Sequence, residues 1–399
     1  MSTAAALRIP PPSFLSEPAP AAVLAALPEA RVAGGAVRDA LAGRPVCDID
    51  LATPQPPEAV MQALAAARIR VVPTGLEHGT VTAVVDGRGI EITSLRRDVE
   101  ADGRHARVEF TDDWREDAAR RDFTINALSM RRDGAVFDYF GGIEDLRAGR
   151  VRFVGEAAQR IAEDYLRILR FFRFFARYGR GEPDADASAS IRGGLAGLGG
   201  LSAERVWSEL KRILAAPDPV AAVALMAELG VLAAVLPEDA DPAPLAALVG
   251  AGAPADPLLR LAALFAGDVA ALSDRLKLAN DERARLAALR AGPSPHPSDD
   301  DATLRRMLAD TEPAVLNDRA WLAGGDAPGW AELRARIVAT PRPVFPLEGR
   351  DVLALGLAPG PYVGELLREV RAWWMEQGCT PDVAVCRREL EARVGRRSV

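Results

Sequence analysis

The chain has 399 residues, of which 49% are hydrophobic and 26% are charged, and its formal net charge is −7. This length is too great for one compact core and predicts two to four domains. The composition is that of an ordinary globular protein, and the acidic balance argues against a general affinity for polyanions. The three cysteines are too few for a disulfide framework, so we expect a reducing compartment, the cytoplasm.

The N-terminal 29 residues are predicted to form a helical or irregular lead-in, without the basic start of a signal peptide. From about Arg31 to Phe153, short β-like runs alternate with turns, and helical patterns lie at VRDALAG and around FTINALSM. After Gly155, Leu/Ala periodicity predicts helices only. We therefore predict an α+β fold, in which a mixed sheet with helices is followed by an all-α remainder. No apolar stretch reaches membrane-spanning length, so no membrane contact is expected.

A strand-turn-helix pattern lies at AGGAVRD, residues 33–39. Gly34 and Gly35 fall at the end of the strand and the start of the helix, where backbone N–H groups can approach a phosphate closely. Arg38 adds a guanidinium group that matches phosphate geometry. Alone, this pattern is better explained by a plain glycine turn. Together with the acidic strand that follows, it favours phosphate binding.

Two aspartates interrupt the strand-like run VCDIDLAT, residues 46–53. Because side chains alternate along a strand, Asp48 and Asp50 are expected on one face, about 7 Å apart, and Ile49 on the other. Such neighbours repel each other unless cations lie between them, and Mg²⁺ typically takes one or two carboxylates plus phosphate oxygens. The pattern therefore predicts a metal site for two-metal phosphoryl transfer.

A third carboxylate is predicted from the run GIEITSL, residues 89–95. Ile90 and Ile92 are expected to face the core, which turns Glu91 to the opposite side. Glu91 therefore joins Asp48 and Asp50 as a candidate catalytic residue.

Further motifs continue in a fixed order along the chain. GGxVRD, a short helix and DIDLAT are followed by TGLEHGTVTAVV, EITSLRRD, RRDFTINALSM, DYFGGIEDLRAGRVRFVG and IAEDYLRILRFFRFFARYG. In this order they resemble the polymerase-β-like nucleotidyltransferases, specifically the class II (bacterial-type) tRNA nucleotidyltransferase and poly(A) polymerase family. The resemblance is strong over about 30–215 and looser towards the end of the chain.

The resemblance implies roles for several of these residues. Gly34, Gly35 and Arg38 would hold a triphosphate, and Arg121 would contact the nucleotide. Asp48 and Asp50 would bind two Mg²⁺ ions. It also implies CTP and ATP as substrates and the 3′ end of tRNA as the partner.

The segment EDYLR, residues 163–167, is predicted to lie on a helix with Asp164 and Arg167 on one face. Asp164 only accepts hydrogen bonds and Arg167 only donates them. The Watson–Crick edges of C and A offer an amino donor beside a ring-nitrogen acceptor, whereas U and G offer a carbonyl beside an N–H. A buried mismatch costs about 1–3 kcal/mol per unpaired group. The pair is therefore expected to select C and A without a template, which is also the role that the resemblance implies.

The same predicted helix carries further side chains with expected roles. Glu163 is predicted to support the base-reading pair, and Arg170 and Arg173 are predicted to reach phosphates or to fix the pair. Ile161, Tyr165, Ile168, Phe172 and Phe175 recur at helical spacing on another face, and core packing is expected for the phenylalanines.

The resemblance also suggests domain limits: a lead-in (1–29), a catalytic head (30–153), a helical neck (154–215), a body (216–300) and a tRNA-binding tail (301–399). Full CCA addition is the leading functional hypothesis. It is favoured because residues 96–110 resemble the family's flexible loop, and because no long basic extension follows the tail. A poly(A) polymerase, a CC-only or A-only enzyme and a non-catalytic RNA-binding relative remain open, as does the oligomeric state.

Overall fold

The computed structural model describes residues 4–101, 106–236 and 240–397. The chain divides into two compact units, Met1–Pro237 and Glu238–Val399. The predicted finer domain limits, after residues 153, 215 and 300, stay predictions. No helix in the described ranges is long and apolar enough to cross a membrane.

The first unit contains a mixed sheet. Its strands are β1 (Leu7–Arg8), β2 (Arg31–Ala33), β3 (Asp50–Thr53), β4 (Arg70–Gly75), β5 (Thr80–Val85), β6 (Arg88–Ser94), β9 (Ser129–Met130) and β10 (Ala135–Phe137). A separate antiparallel pair is formed by β7 (Arg96–Ala101) and β8 (Ala106–Phe110). Among the described residues the order is β1-β10-β9-β2-β3-β6-β5-β4. β3 and β6 run parallel, which places the ends of both strands at the same edge of the sheet.

The first unit also contains helices, and the first three of them pack against this sheet. They are α1 (Pro18–Ala26), α2 (Gly35–Leu41), α3 (Pro57–Ala66), α4 (Trp114–Ala119), α5 (Gly142–Ala148), α6 (Ala157–Glu163), α7 (Leu166–Tyr178), α8 (Ala185–Gly194), α9 (Ala203–Leu214), α10 (Val220–Glu228) and α11 (Val231–Val235). Val23, Val37 and Val60 of α1, α2 and α3 share one core with Val81 and Ile92 of the sheet. The β-branched residues of β5 and β6 suit such a half-buried pleated surface.

The second unit is helical, as predicted. Its helices are α12 (Pro242–Gly250), α13 (Pro257–Leu264), α14 (Val269–Leu276), α15 (Asn280–Arg290), α16 (Asp301–Asp310), α17 (Pro313–Gly324), α18 (Trp330–Ala339), α19 (Gly349–Leu353), α20 (Pro361–Glu376) and α21 (Val383–Arg397). One core cluster joins α16, α17 and α18 through Leu304, Leu316 and Leu333. Another joins α19, α20 and α21 around Trp374.

Three local predictions differ from the structure. The lead-in contributes strand β1, which pairs with β10. The region around FTINALSM is a single 3-10 turn, Thr124–Asn126, followed by β9; Thr124 and Asn126 donate side-chain hydrogen bonds to Asp145 and Asp122. Strand β3 begins at Asp50, so Asp48 lies just before the strand.

Candidate active site

An acidic cavity lies where β3 and β6 run side by side. Asp48, Asp50 and Glu91 line this cavity, which has a volume of about 480 Å³. Asp50 lies directly opposite Glu91 in the parallel register. All three carboxylates are exposed, whereas Ile49 is buried. The predicted face of the strand is therefore confirmed, although Asp48 precedes it.

The position of Glu91 follows from the alternation predicted for its strand. Ile90 and Ile92 are 1% and 0% exposed and belong to the core of the sheet. Glu91 consequently points away from that core and into the acidic cavity.

The carboxylates of the acidic cavity repel one another when they are ionised. The pKa of Asp50 is raised, first by partial desolvation and then by the charges of Glu91 and Asp48, while Arg121 acts in the opposite direction. A bound cation would relieve this repulsion. Within the described ranges, no group of three or more His, Cys, Asp or Glu side chains is arranged to hold a metal ion.

A second cavity in the first unit, which we call the arginine pocket, has a volume of about 650 Å³. The predicted site residues that line it are Gly34, Gly35, Arg38, Arg121, Asp164, Arg167 and Arg170. The lining also includes residues that were not predicted from the sequence: Arg96, Arg120, Asp122, Asn126, Leu166, Phe174 and Arg205. Because its cations outnumber its carboxylates, the pocket suits an anionic ligand.

Gly34 allows the close approach of Arg121 to the turn before α2. Its φ of +67° lies in the left-handed region, and a Cβ atom there would come within 2.7 Å of Nη1 of Arg121. The Arg121 guanidinium donates to Asp117, at 3.3 Å, and to the backbone oxygen of Asn126, also at 3.3 Å. A side chain at position 34 would therefore displace the arginine.

Asp117 orients two adjacent arginines of the pocket. It is 4% exposed and forms ion pairs with Arg120 at 2.8 Å and with Arg121 at 3.3 Å. Burial acts to raise the pKa of Asp117, but the two guanidinium groups outweigh it and hold the pKa below its usual value. The carboxylate is therefore ionised at neutral pH, and it fixes both arginines.

Arg38 is held from several sides. Its Nε and Nη2 donate to the carboxylate of Asp39, at 3.0 and 3.1 Å, and its Nη1 donates to Oδ1 of Asn126 at 2.5 Å. The guanidinium carbon lies 4.6 Å from the ring centroid of Tyr178, whose hydroxyl donates to Asp39. Such a group is preorganised, so little conformational entropy is lost when it binds a phosphate.

Asp122 connects Arg170 of α7 to Arg38 through a chain of polar contacts. It is 7% exposed, forms an ion pair with Arg170 and accepts a hydrogen bond from Nδ2 of Asn126 at 2.9 Å. Asn126 in turn accepts from Arg38. Sequence reasoning missed these hydrogen bonds, although Asp122 and Asn126 stand four positions apart in the motif RRDFTINALSM.

Asp164 and Arg167 line the same pocket but do not lie on one continuous helix, which corrects the prediction. Asp164 is in an extended conformation, with φ −157°, between α6 and α7. It accepts hydrogen bonds from the backbone N of Leu166 at 3.1 Å and from Arg205 at 2.7 Å. Its own backbone geometry ends α6, and its side chain then satisfies a donor at the start of α7.

Arg167 has different partners from those of Asp164. Its Nη1 donates to Glu163 at 2.5 Å and to the backbone oxygen of Arg160 at 2.8 Å. Glu163 therefore lies where it was predicted to support the pair. A carboxylate has about four acceptor positions and a guanidinium five donors, so both groups retain capacity for a ligand.

Arg173 does not line the arginine pocket, and its predicted role of reaching phosphates or fixing the base-reading pair stays a prediction. It forms an ion pair with Glu209 of α9 at 3.0 Å and lies over the Phe174 ring. Burial lowers the pKa of Arg173 to about 10. Its role in the structure is to join α7 to α9. Core packing is confirmed for Phe172 and Phe175, which are buried; Ile161 and Ile168 are also buried, and Tyr165 is partly buried.

The predicted flexible loop, residues 96–110, is only partly covered by the structure. Its described residues form the antiparallel pair β7 and β8, and residues 102–105 lie outside the described ranges.

Comparison with known proteins identifies the family. The family described as the Poly A polymerase head domain matches residues 30–152, and that described as the probable RNA and SrmB-binding site of polymerase A matches residues 186–241. CCA tRNA nucleotidyltransferase 1, mitochondrial, from Danio rerio is 39% identical over 366 residues, which cover 87% of this chain and 83% of that protein. The chain belongs to the tRNA nucleotidyltransferase/poly(A) polymerase family.

Two bacterial members of the tRNA nucleotidyltransferase/poly(A) polymerase family are also similar. The CCA-adding enzyme of Geobacillus stearothermophilus is 39% identical over 212 residues, 52% of this chain and 51% of that protein. The crystal structure of the Bacillus stearothermophilus CCA-adding enzyme in complex with CTP has a TM-score of 0.75 at 26% identity, and covers 96% of this chain and 99% of that chain. The predicted family and the predicted α+β fold are confirmed.

Proposed function

We propose that this protein adds CCA to the 3′ end of tRNA from CTP and ATP, by nucleotidyl transfer with release of pyrophosphate. The observation that carries the proposal is the register of β3 and β6, which sets Asp50 opposite Glu91 with Asp48 beside them. The arginine pocket of the same unit supplies the cations that a triphosphate requires. The similar proteins from Danio rerio and Bacillus stearothermophilus, one named for CCA addition and one crystallised with CTP, support this reaction.

The family is generally dependent on metal ions, and we propose two Mg²⁺ ions held by Asp48 and Asp50, with Glu91 as a third carboxylate. Asp48 and Asp50 fit as donors without a third protein ligand, because Mg²⁺ prefers oxygen ligands and combines one or two carboxylates with phosphate oxygens. When bound, the ions supply activation of the 3′ hydroxyl and charge neutralisation at the triphosphate. The protein's contribution is to hold the three carboxylates in one cavity, where the ions would bind.

The triphosphate is held by the turn before α2 and by two arginines. Gly34 and Gly35 let the backbone approach the phosphates, while Arg38 and Arg121 donate charged hydrogen bonds. Asp39, Asn126 and Asp117 hold the two guanidinium groups in place. Binding therefore requires little rearrangement of the protein.

The base is selected by hydrogen bonds from Arg167 and to Asp164. C and A place an amino donor beside a ring-nitrogen acceptor, so both match, whereas U and G mismatch both groups. Asp164 forms an ion pair with Arg205, and Arg167 forms one with Glu163. The pair can then read a base edge instead of forming its own ion pair.

Asp164→Ala is expected to weaken base choice. Loss of the acceptor removes one matched contact with C and A and one mismatched contact with U and G. We therefore expect discrimination against UTP and GTP, as the ratio of kcat/KM values, to fall about 10- to 100-fold, because each unpaired group is worth about 1–3 kcal/mol. Single-turnover incorporation with each of the four nucleotides measures this ratio.

Asp186→Ala is the matched control for that variant, since Asp186 is an exposed aspartate of the adjacent helix α8 that does not line the pocket. Discrimination should stay at the value of the unsubstituted protein. If Asp164→Ala retains full discrimination while remaining folded, the proposed base-reading role is wrong.

The tRNA partner is proposed to bind through the neck (154–215), the body (216–300) and the tail (301–399). The match of residues 186–241 to a probable RNA-binding family supports a contact in part of this region. The predicted cytoplasmic location stays a prediction, since the Danio rerio relative carries a mitochondrial name.

Three tRNA transcripts test the proposed reaction. They end before the first C, after CC and after CCA, and each is incubated with Mg²⁺ and one or both of CTP and ATP. We expect CTP to be used on the first, ATP on the second, and the third to remain unextended. Continued addition of A to any RNA would instead indicate a poly(A) polymerase, and addition of only CC or only A a partial enzyme. Binding of tRNA without incorporation would indicate a non-catalytic relative.

A further inference from the structure

The first unit contains another cavity, which we call the rear cavity, with a volume of about 700 Å³. It has no lining residue in common with the arginine pocket. Its floor is aliphatic and is formed by Leu7, Ile9, Leu41, Ile143 and Leu146. Four arginines also line it, Arg44, Arg147, Arg177 and Arg180, and no carboxylate does so among the described residues.

The positive charge of the rear cavity is not compensated by ion pairs. Within the described part of the chain, none of its four arginines is paired with a carboxylate. Two are positioned by neutral backbone oxygens instead: Arg44 donates to the oxygen of Arg177 at 2.5 Å, and Arg180 to that of Arg147 at 2.9 Å. Four like charges around one cavity repel each other, and an anionic ligand would relieve that repulsion.

The chemistry of the lining indicates the class of ligand. Guanidinium groups match the geometry of phosphates and bind them through paired hydrogen bonds, and an aliphatic floor accepts the face of a base or sugar. The volume lies within the range of small-molecule sites. We propose that the rear cavity binds the phosphates of a nucleotide, with its base or sugar on the aliphatic floor, as a site separate from the arginine pocket. The nucleotide is either a free nucleoside triphosphate or a residue of a bound RNA strand.

Tyr178 links this site to the arginine pocket. Its ring has the Arg44 guanidinium carbon 4.7 Å from its centroid and that of Arg38 at 4.6 Å. Its hydroxyl donates to Asp39, which holds Arg38. A ligand that draws Arg44 away from the ring therefore acts on a side chain that also supports Arg38.

The double substitution Arg147→Gln/Arg177→Gln tests the site. Both side chains are exposed, so their loss should leave the fold intact. Arg68→Gln/Arg70→Gln is the matched control, because it removes two exposed arginines and the same net charge outside both cavities. Circular dichroism and the midpoint of thermal unfolding confirm the fold of each variant.

Equilibrium dialysis with labelled ATP, carried into the millimolar range, measures the number of sites. We expect two ATP molecules per chain for the unsubstituted protein and for the control, and one for Arg147→Gln/Arg177→Gln. Two molecules bound by all three proteins would overturn the assignment to the rear cavity.

A second measurement distinguishes the free nucleotide from an RNA strand. If all three proteins bind one ATP, binding of a tRNA transcript is compared as a function of salt. A loss of about tenfold in affinity, with a salt slope reduced by about one to two, for the rear-cavity variant alone would identify the ligand as an RNA phosphate. One ATP for every protein and equal tRNA affinities would refute the proposal.

Discussion

Asp50→Asn is expected to abolish nucleotide incorporation with both CTP and ATP. The substitution keeps the size of the side chain and removes the charge that lies opposite Glu91. Loss of a metal-binding carboxylate should lower kcat by about 10³-fold or more, equivalent to ~4 kcal/mol. Incorporation into a tRNA transcript ending before the first C, with saturating CTP and Mg²⁺, measures the effect.

The same variant should not be less stable than the unsubstituted protein. Desolvation and the neighbouring carboxylates raise the pKa of Asp50 in the folded state. A raised carboxyl pKa means that ionisation destabilises the fold as pH rises through that pKa, and Asn cannot ionise. We therefore expect an unchanged or higher thermal midpoint at pH 7. Asp281→Asn, an exposed aspartate of α15, should leave activity unchanged; full activity of folded Asp50→Asn would contradict the metal-binding role.

Asp122→Ala is expected to have the largest effect on stability. It removes the buried partner of Arg170 and an acceptor of Asn126. Breaking such a pair leaves a partly buried charge without a partner, and because Arg170 retains some access to water, we expect a loss of about 2–4 kcal/mol in the free energy of unfolding. Urea denaturation at pH 7 measures the loss.

The pH dependence of stability shows whether Asp122 acts through its charge or only through its packing. Burial acts to raise the pKa of Asp122, but Arg170 and hydrogen bonds from Asn126 and the backbone of Phe123 outweigh it and lower the pKa. A lowered carboxyl pKa contributes stability that is present above the unfolded-state value of about 3.9 and is lost as pH falls through the folded-state value. The difference in stability between the unsubstituted protein and Asp122→Asn should therefore narrow below about pH 4. A difference that is constant with pH would show that Asp122 acts through its shape alone.

The sequence predicted those features that depend on local periodicity and on short motifs. Alternation along GIEITSL was enough to place Glu91, because two buried isoleucines leave the glutamate only one side of the strand. The strand-turn-helix at Gly34 and Gly35 was also predictable, since few residues tolerate a φ of +67°.

Features that depend on contacts between distant segments could not be predicted in the same way. The sequence predicts Asp164 within a helix, but the hydrogen bonds that it accepts from Leu166 and Arg205 favour the extended break. The ion pair of Arg173 with Glu209 depends on how α7 packs against α9. Spacing along one helix carries no information about a partner 36 residues away.

The placement of Asp50 opposite Glu91 has a consequence for laboratory selection of stable variants. Two adjacent strands hold like charges in direct register, an arrangement that destabilises a sheet and persists where function requires it. Neutral substitutions at either position relieve the repulsion, so a screen that scores only heat resistance will enrich them. A screen for stable variants therefore also needs a selection for nucleotide incorporation, because it will otherwise enrich heat-resistant proteins that are inactive.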